Sequence, residues 1–359
     1  MPSAQFAAFA TLTFMQYARL GNTGLVVSRL SFGAMTFGTG QGPFAIVSKV
    51  AASDLADQII GRTLDAGINH FNTADVYTGG QSEEMLGKAL GARRKDVVIS
   101  TKVGFRGAPP MLHQGLSRQH ILASCEDSLK RLGTDYIDIY LVHRVDVNTP
   151  LEETVDALDA LVRHGKVRYV GFSNWPAWMA AKAVGIQGKN GFARFRAAEL
   201  YYSLVGRDFE HELGPFVEDA GIGVLVWSPL AGGFLSGKYT RENPQGDGGR
   251  LSGLDLLPYD KAKGHDIVDL LRVIAKEHDA SSAQVALAWL LTKKAVSSVL
   301  IGANTMTQLE DNLAAADLEL MPEEVTKLNE LSSPGMIYPN WFTARVQDPA
   351  VTAALQPRA

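Results

Sequence analysis

The sequence predicts an α/β fold: a (β/α)8 TIM barrel with an N-terminal β-hairpin and long loops at the C-terminal face of the strands. Three observations predict it. From about residue 30 onward, short β-rich runs alternate with amphipathic helical runs until eight such pairs have passed. The strand runs, such as YIDIYLVH and GIGVLVWS, are nearly continuous in apolar residues, as parallel strands covered on both faces must be. No G-x-G-x-x-G follows an early strand, which an open doubly wound sheet would want, and 359 residues suit one barrel with long loops.

Each element follows in order. YARLGNTGLVVS sets Asn22-Thr23-Gly24 between two short β-like runs, a hairpin that could plug the bottom of the barrel. RLSFG (Arg29 to Gly33) reads as the first barrel strand. DLADQIIGRTLDAG is its helix, with Leu55, Ile59, Ile60, Thr63 and Leu64 at helical spacing. INHFN is the second strand, and SEEMLGKAL a helix that Ser82 can cap, with Glu83 and Glu84 in its first turn. DVVISTK precedes the helix SRQHILASCEDSLKRLG, ended by Gly133, and YIDIYLVH precedes LEETVDALDALVRHG, ended by Gly165. KVRYVGFSN is followed by PAWMAAKAVG, with Pro176 in its first turn. FRAAELYY is followed by EHELGPFVEDAG, a helix broken near its middle by Gly214-Pro215. After GIGVLVWS and a Gly-rich loop come two helices, DIVDLLRVIAKEH and SAQVALAWLLTK; SSVLIGA and MTQLEDNLAAA complete the set. Loops at 37–53, 103–115 and 239–263 are long enough to be functional or mobile.

Composition narrows the function classes. A hydrophobic fraction of 46% with 20% charged residues excludes wholesale disorder and a collagen-like chain. A net charge of -4 gives no general attraction to nucleic acid or to an anionic membrane, which leaves small-molecule chemistry. The single cysteine, Cys125, excludes an intrachain disulfide and predicts a reducing, cytoplasmic setting, and no Cys/His ligand set for a metal appears. The opening MPSAQFAAFATLTFM is apolar but lacks the cationic start of a secretory signal and is too short to span a bilayer. Residues 1–14 therefore read as a poorly ordered extension ahead of one barrel domain at 15–359. Nothing in the sequence specifies an oligomeric state.

In such a barrel the active site forms at the C-terminal ends of the strands. Those ends carry Asn72 and Tyr77, then Lys102, His143, Ser173 with Asn174, Glu199 with Tyr201 and Tyr202, Trp227 with Ser228, and Gly302 with Asn304. Taken singly each has an ordinary reading: a packing tyrosine, a rim lysine, a structural histidine, a core tryptophan. Together they differ, because a barrel gathers strand ends around one mouth. Free tyrosine, with a pKa of about 10, is a poor acid at neutral pH, but a nearby ammonium stabilises its anion. Lys102 can supply that cation, and His143 can hold a substrate oxygen or share the proton. A phenol, an ammonium and an imidazole suit protonation of a carbonyl oxygen as it becomes an alkoxide.

From about Met15 to Ser333 the chain resembles the aldo-keto reductases. The likeness is carried by FNTADVYTGGQSEEMLGKAL, VVISTKVG, YIDIYLVH, GKVRYVGFSN, ELYYSL, VLVWSPLAGGFLSGKY and LIGANTMTQLEDNL, in order and at suitable spacing. It implies a barrel that binds NADPH or NADH in extended form and passes hydride to an aldehyde or ketone. It also implies Tyr77 as the acid, with Lys102 and His143 beside it. The family's aspartate partner of the lysine falls on Asn72, an amide that can accept a hydrogen bond from Lys102 but supplies no counter-charge, so protonated Lys102 should be less favoured. On that basis Asn72→Asp should keep or modestly alter turnover.

The resemblance also implies the cofactor contacts. Gly33 and Met35 fall among them, and Ser173 and Asn174 match the pair that binds the nicotinamide carboxamide, although Asn174 could instead cap the following helix. Glu199 falls where the family carries glutamine against the same carboxamide, and Trp227 matches the aromatic that stacks on the ring. Ser228, Leu230, Gly232, Gly233 and Lys238 resemble the loop over the pyrophosphate. Gly302, Asn304 and Gln308 occupy positions where relatives place a cation for the 2′-phosphate; all three are neutral here, which opens the site to NADH. Asp311 and Asn312 match the adenine contacts. Phe37, Phe44, Phe105, Trp175, Tyr338, Trp341 and Phe342 are either walls for a hydrophobic or aromatic carbonyl compound or loop packing. Two other readings stand beside a reductase: a cofactor-binding sensor or accessory subunit like the potassium-channel beta subunits, and an aldolase-like barrel with Lys102 as Schiff-base former.

Overall fold

The structure, a computed structural model, describes residues 15–40, 47–105, 112–244 and 257–355. A hairpin of β1 (Tyr17–Arg19) and β2 (Val26–Ser28) leads into a closed parallel barrel. Its strands are β3 (Leu30–Gly33), β4 (His70–Asn72), β5 (Val98–Val103), β6 (Ile137–Val142), β7 (Val167–Ser173), β8 (Phe195–Tyr201), β9 (Gly223–Trp227) and β10 (Val296–Ile301), with β10 closing onto β3. Every one of the eight predicted strands is present and adjacent to its sequence neighbour, because each right-handed crossover returns the chain one place around the sheet.

Helices α1 (Ser53–Asp65), α2 (Gln81–Leu90), α3 (Arg118–Leu132), α4 (Leu151–Arg163), α5 (Ala177–Asn190) and α6 (Leu213–Ala220) coat the outside. They are joined by α7 (Lys261–Glu277), α8 (Ser282–Leu291), α9 (Met306–Leu313) and α10 (Pro322–Leu331), and two short helices, α11 (Asn340–Arg345) and α12 (Pro349–Ala354), follow. Three local expectations are corrected. Gly80, in the left-handed region, is the N-cap of α2, and the Ser82 hydroxyl instead donates to the Ala34 carbonyl at 2.7 Å, tying β3's exit to the helix. Pro176 is itself the N-cap of α5. Gly214-Pro215 lie in the first turn of α6, where the missing proline N–H costs nothing, so the predicted break becomes a helix start after a short 3-10 turn at Asp208–Glu210.

The hairpin plugs the N-terminal end of the barrel, as its position in the sequence predicted. Leu20 and Val27, both wholly buried, pack on Val98, Ile139, Leu141, Ala197 and Leu225 inside the strands. Its turn is pinned to the start of β9: the Asn22 N–H donates to the Gly221 carbonyl at 3.0 Å. Gly21 makes this possible, since a Cβ there would lie 2.3 Å from the Gly221 oxygen. Among the described residues no helix is long and apolar enough to cross a membrane, and no group of His, Cys, Asp and Glu could hold a metal. Cys125 is buried, and burial pushes its thiol up to about 12.

Above the plug the barrel interior carries a polar layer. His70 on β4 bridges the Ser31 hydroxyl (2.8 Å) and the Ser100 hydroxyl (2.9 Å), and all three are fully buried. Burial, helped by the Lys102 charge, pushes the His70 imidazole down to about 3. The unfolded chain takes up its proton near pH 6.5, so the stability that neutral His70 contributes is complete above that pH and is lost as pH falls toward 3. The buried Asp75 carboxyl, raised by burial, works in the opposite direction. The difference between variants isolates the histidine: between pH ~6 and ~4 the unfolding free energy of His70→Gln is expected to fall less steeply than that of the parent, by about 1.4 kcal/mol per pH unit. Urea unfolding across that range measures it, and parallel slopes would show that His70 is not buried neutral.

Candidate active site

The chain leaving β4 is held against β5 by two backbone bonds, Thr73 N–H to the Ser100 carbonyl (2.9 Å) and Asp75 N–H to the Lys102 carbonyl (3.1 Å). It then turns sharply into α2 through Thr78, Gly79 and Gly80, all at positive φ. This path lays Tyr77 over the end of β5. The Lys102 Nζ lies 3.4 Å from the Tyr77 hydroxyl and 5.0 Å from the centre of its ring. Lys102 is wholly buried and Tyr77 nearly so. His143, carried on the end of β6 by its N–H bond to the Val103 carbonyl (2.8 Å), meets Tyr77 edge-on with ring centres 5.7 Å apart. The phenol, ammonium and imidazole expected at one mouth are together.

Lys102 has more partners than the sequence offered. Its Nζ donates to Asn72 Oδ1 at 2.8 Å and to the Thr73 carbonyl at 2.9 Å, and it forms an ion pair with Glu199 Oε1 at 3.1 Å. Asn72 Nδ2 in turn donates to Glu199 Oε2 and to Ser100 Oγ, both at 2.7 Å. The expectation that Asn72 leaves Lys102 without a counter-charge is corrected: Glu199, from the far side of the barrel, provides one. Burial pushes the Lys102 ammonium down, but attraction to Glu199 and Tyr77, with hydrogen bonds to both, outweighs it and holds the ammonium above its usual range. Burial pushes the Tyr77 phenol up, and Lys102 only partly offsets this, so the hydroxyl keeps its proton at neutral pH. Burial and the charges of Lys102 and Arg144 hold His143 well below its ordinary range, hence neutral. Ser100 and Thr73 escaped the sequence reading. Ser100 lies two places before Lys102 on β5, so strand alternation puts both on the inner face, a signal that was available.

Around this centre the other expected residues fall into three groups. Ser173 Oγ donates to the Glu199 carbonyl at 2.7 Å, and the Asn174 amide links His143 to Trp227, donating to the His143 carbonyl (3.0 Å) and accepting from the indole (3.1 Å). Asn174 does not cap α5 and sits at φ 57°. Trp227 is half-buried and leans on Tyr201, ring centres 5.2 Å apart. After β9, Ser228 Oγ accepts from the Gly232 N–H at 3.2 Å, Leu230 packs on the core, and Gly232 and Gly233 take positive φ. Lys238 lies across this loop, its Nζ 5.2 Å from the Tyr239 ring.

On β3, Gly33 is in register with Asn72 of β4, and just past β10 a Cβ on Gly302 would meet only the Gly33 carbonyl at 3.9 Å, so there is open space around Gly302. Met35 packs with Ala74, Val76 and Tyr77. Farther out, the Asn304 N–H donates to Gln308 Oε1 (2.9 Å), Asn312 Nδ2 to the Gly302 carbonyl (3.1 Å), and Asp311 accepts from Ser281 (3.1 Å) and Gln284 (2.8 Å). Of the candidate walls, Phe105 stacks edge-on to His143 (4.8 Å). Phe37 and Trp175 are buried core, packed on Phe32 and on Phe172 with Phe195. Tyr338, Trp341 and Phe342 cluster with one another on the exposed C-terminal segment, and Phe44 lies outside the described residues.

Comparison with known proteins agrees with this geometry. The sequence model of the Aldo/keto reductase family matches residues 29–333, a span that holds all eight barrel strands. A protein of Oryza sativa subsp. japonica named "Probable voltage-gated potassium channel subunit beta" is 38% identical over 88% of this chain and 95% of its own length. The versiconal hemiacetal acetate reductase of Aspergillus parasiticus is 34% identical over 90% and 99%. A protein of Glycine max named "Probable aldo-keto reductase 1" is 34% identical over 88% of each. With the family span and these full-length likenesses laid over the barrel, the chain belongs to the aldo/keto reductase family and is an NAD(P)H-dependent oxidoreductase acting on small carbonyl compounds.

Proposed function

We propose that this chain reduces an aldehyde or ketone to the alcohol with Tyr77 as the proton donor. One observation carries the reading: the Tyr77 hydroxyl lies 3.4 Å from the Lys102 ammonium and beside a neutral His143. A reduced nicotinamide, when bound, supplies the hydride. The remaining work belongs to the protein. Tyr77 gives its proton to the carbonyl oxygen, Lys102 stabilises the phenolate left behind, and His143 holds the oxygen in line; water then returns the proton to Tyr77. Phe105 against His143 favours a hydrophobic or aromatic group on the substrate.

The residues present fit a nicotinamide dinucleotide. Half-buried Trp227 offers a ring face, while Ser173 and Asn174 offer polar edges. Gly232, with Ser228, Leu230 and Lys238, gives a backbone cradle and a cation for a pyrophosphate. The open space around Gly302, with Gly33 and Met35 on one side, is followed along the chain by Asn304, whose buried Oδ1 has no partner among the described residues, and by Gln308, Asp311 and Asn312. Since Gly302, Asn304 and Gln308 are neutral, we expect kcat/KM with NADH to lie within about tenfold of that with NADPH, a difference of ~1.4 kcal/mol or less. Steady-state oxidation of both cofactors over an aldehyde and ketone panel tests cofactor and reaction together. A preference for NADPH far above tenfold would require a phosphate-binding cation elsewhere.

A second reading is favoured by the relatives named as potassium-channel beta subunits, at 38% identity in both Oryza sativa subsp. japonica and Arabidopsis thaliana. It makes the chain a cofactor-binding sensor or accessory subunit. Tight cofactor binding by fluorescence with no turnover on any carbonyl of the panel would select it over the reductase.

A further inference from the structure

Glu199 and Asn72 form an arrangement that a cofactor contact alone does not explain. Lys102 is wholly buried and its ammonium meets four groups: Asn72 Oδ1, the Thr73 carbonyl, the Tyr77 hydroxyl and Glu199 Oε1. Glu199 is itself buried, 3% exposed, and comes from β8, on the opposite side of the barrel from Asn72 on β4 and Lys102 on β5. Both of its oxygens are engaged, one by the Lys102 ammonium and one by Asn72 Nδ2. Its backbone carbonyl is fixed too, by Ser173 Oγ. The other charged or titratable groups that bear on Lys102 are Tyr77, Asp75, His70 and His143. Of these the two histidines are held neutral, and burial keeps the Asp75 carboxyl protonated well above the ordinary range.

We infer that Glu199 is the positioning residue that keeps Lys102 charged and aimed at Tyr77, and that Asn72 is required as an amide because it bridges the two. The inference rests on the assignment of Tyr77 and Lys102 above. Its physical core is that an ammonium removed from water stays protonated only beside a carboxylate, and that the carboxylate needs a second donor for its other oxygen. Asn72 supplies that donor through Nδ2 while its Oδ1 accepts from Lys102, so one amide serves both charges. An aspartate at 72 would present two oxygens where one oxygen and one donor are needed. It would set a second carboxylate against Glu199 at the present 2.7 Å contact. In this site, then, the harmless-looking change Asn72→Asp is harmful, contrary to the expectation drawn from the sequence.

The swapped pair is different. In Asn72→Asp combined with Glu199→Gln, the carboxylate moves to a position already 2.8 Å from Lys102 Nζ, and the hydrogen bond between the two side chains is kept with its direction reversed. The signs therefore depend on background: N72D lowers activity alone and raises it in E199Q. In E199Q the alkaline limb of the kcat profile is expected to move down by at least about one pH unit, because the opposite charge near Lys102 is gone. N72D/E199Q is expected to return the limb to its original place. A folded E199Q protein with an unmoved limb, or a folded double variant that fails to recover, overturns the inference.

The second arm needs no turnover and so is separate from the assignment of Tyr77. In a Lys102→Met background the buried Glu199 has lost its cation, and removing its charge as well should raise the urea midpoint of the cofactor-free protein above that of K102M. A further fall would show that Glu199 is held by something other than Lys102. This arm also decides the matter if E199Q alone does not fold.

Discussion

Tyr77→Phe is expected to lower carbonyl reduction by about 10²- to 10⁴-fold, the range that a positioned general acid contributes. The substitution is clean because the ring stays. Phe keeps the edge contact with His143 and the face presented to the Lys102 ammonium 5.0 Å away, and loses only the hydroxyl, whose hydrogen bond to Lys102 is a long 3.4 Å. Thermal stability and cofactor affinity should therefore be close to those of the parent, which separates lost chemistry from lost structure. In the parent, burial holds the phenol above its ordinary range. The acid form thus persists through neutral and mildly alkaline pH, and reduction should show no decline from pH ~7 to ~9, below the free-tyrosine value of about 10. Unaffected reduction in the Phe variant would remove Tyr77 from the reaction.

Lys102→Met is expected to cost both turnover and stability, the latter by about 3–5 kcal/mol, the usual penalty for breaking a buried ion pair from one side. The reason is the partner left behind. Glu199, 3% exposed, would keep only the Asn72 amide against its charge. Urea unfolding of K102M beside the parent measures the stability cost. A cost below about 1 kcal/mol, the scale of an exposed pair, would show that Glu199 is solvated in the variant. Turnover is expected to fall with it, since the phenolate of Tyr77 would form without a cation.

The barrel was legible because its determinants are local and repeated. Apolar runs bounded by polar turns identify strands, helical spacing identifies their partners, and the strand ends carry Tyr77, Lys102 and His143. Helix starts were read less well. Ser82 has the chemistry of a cap, but the Ala34 carbonyl claims its hydroxyl, a contact 48 residues apart in the chain. Residue type leaves Trp175 and Phe37 equally readable as pocket walls or as packing, and tertiary contacts place both in the core. Ser100 is legible only through Lys102, since strand alternation sets residues two apart on one face.

By itself, then, the sequence determined the eight-fold alternation, the family, and the identity of the groups at the mouth, because each depends on residue type and spacing along the chain. Only the tertiary structure decided the electrostatics among them. Glu199 is 97 residues beyond Lys102 and 127 beyond Asn72, and no pattern in the chain says that its carboxylate crosses the barrel to meet both. Charge acts through space and is strengthened where water is excluded, so the state of a buried lysine is fixed by which strands the closed sheet sets face to face.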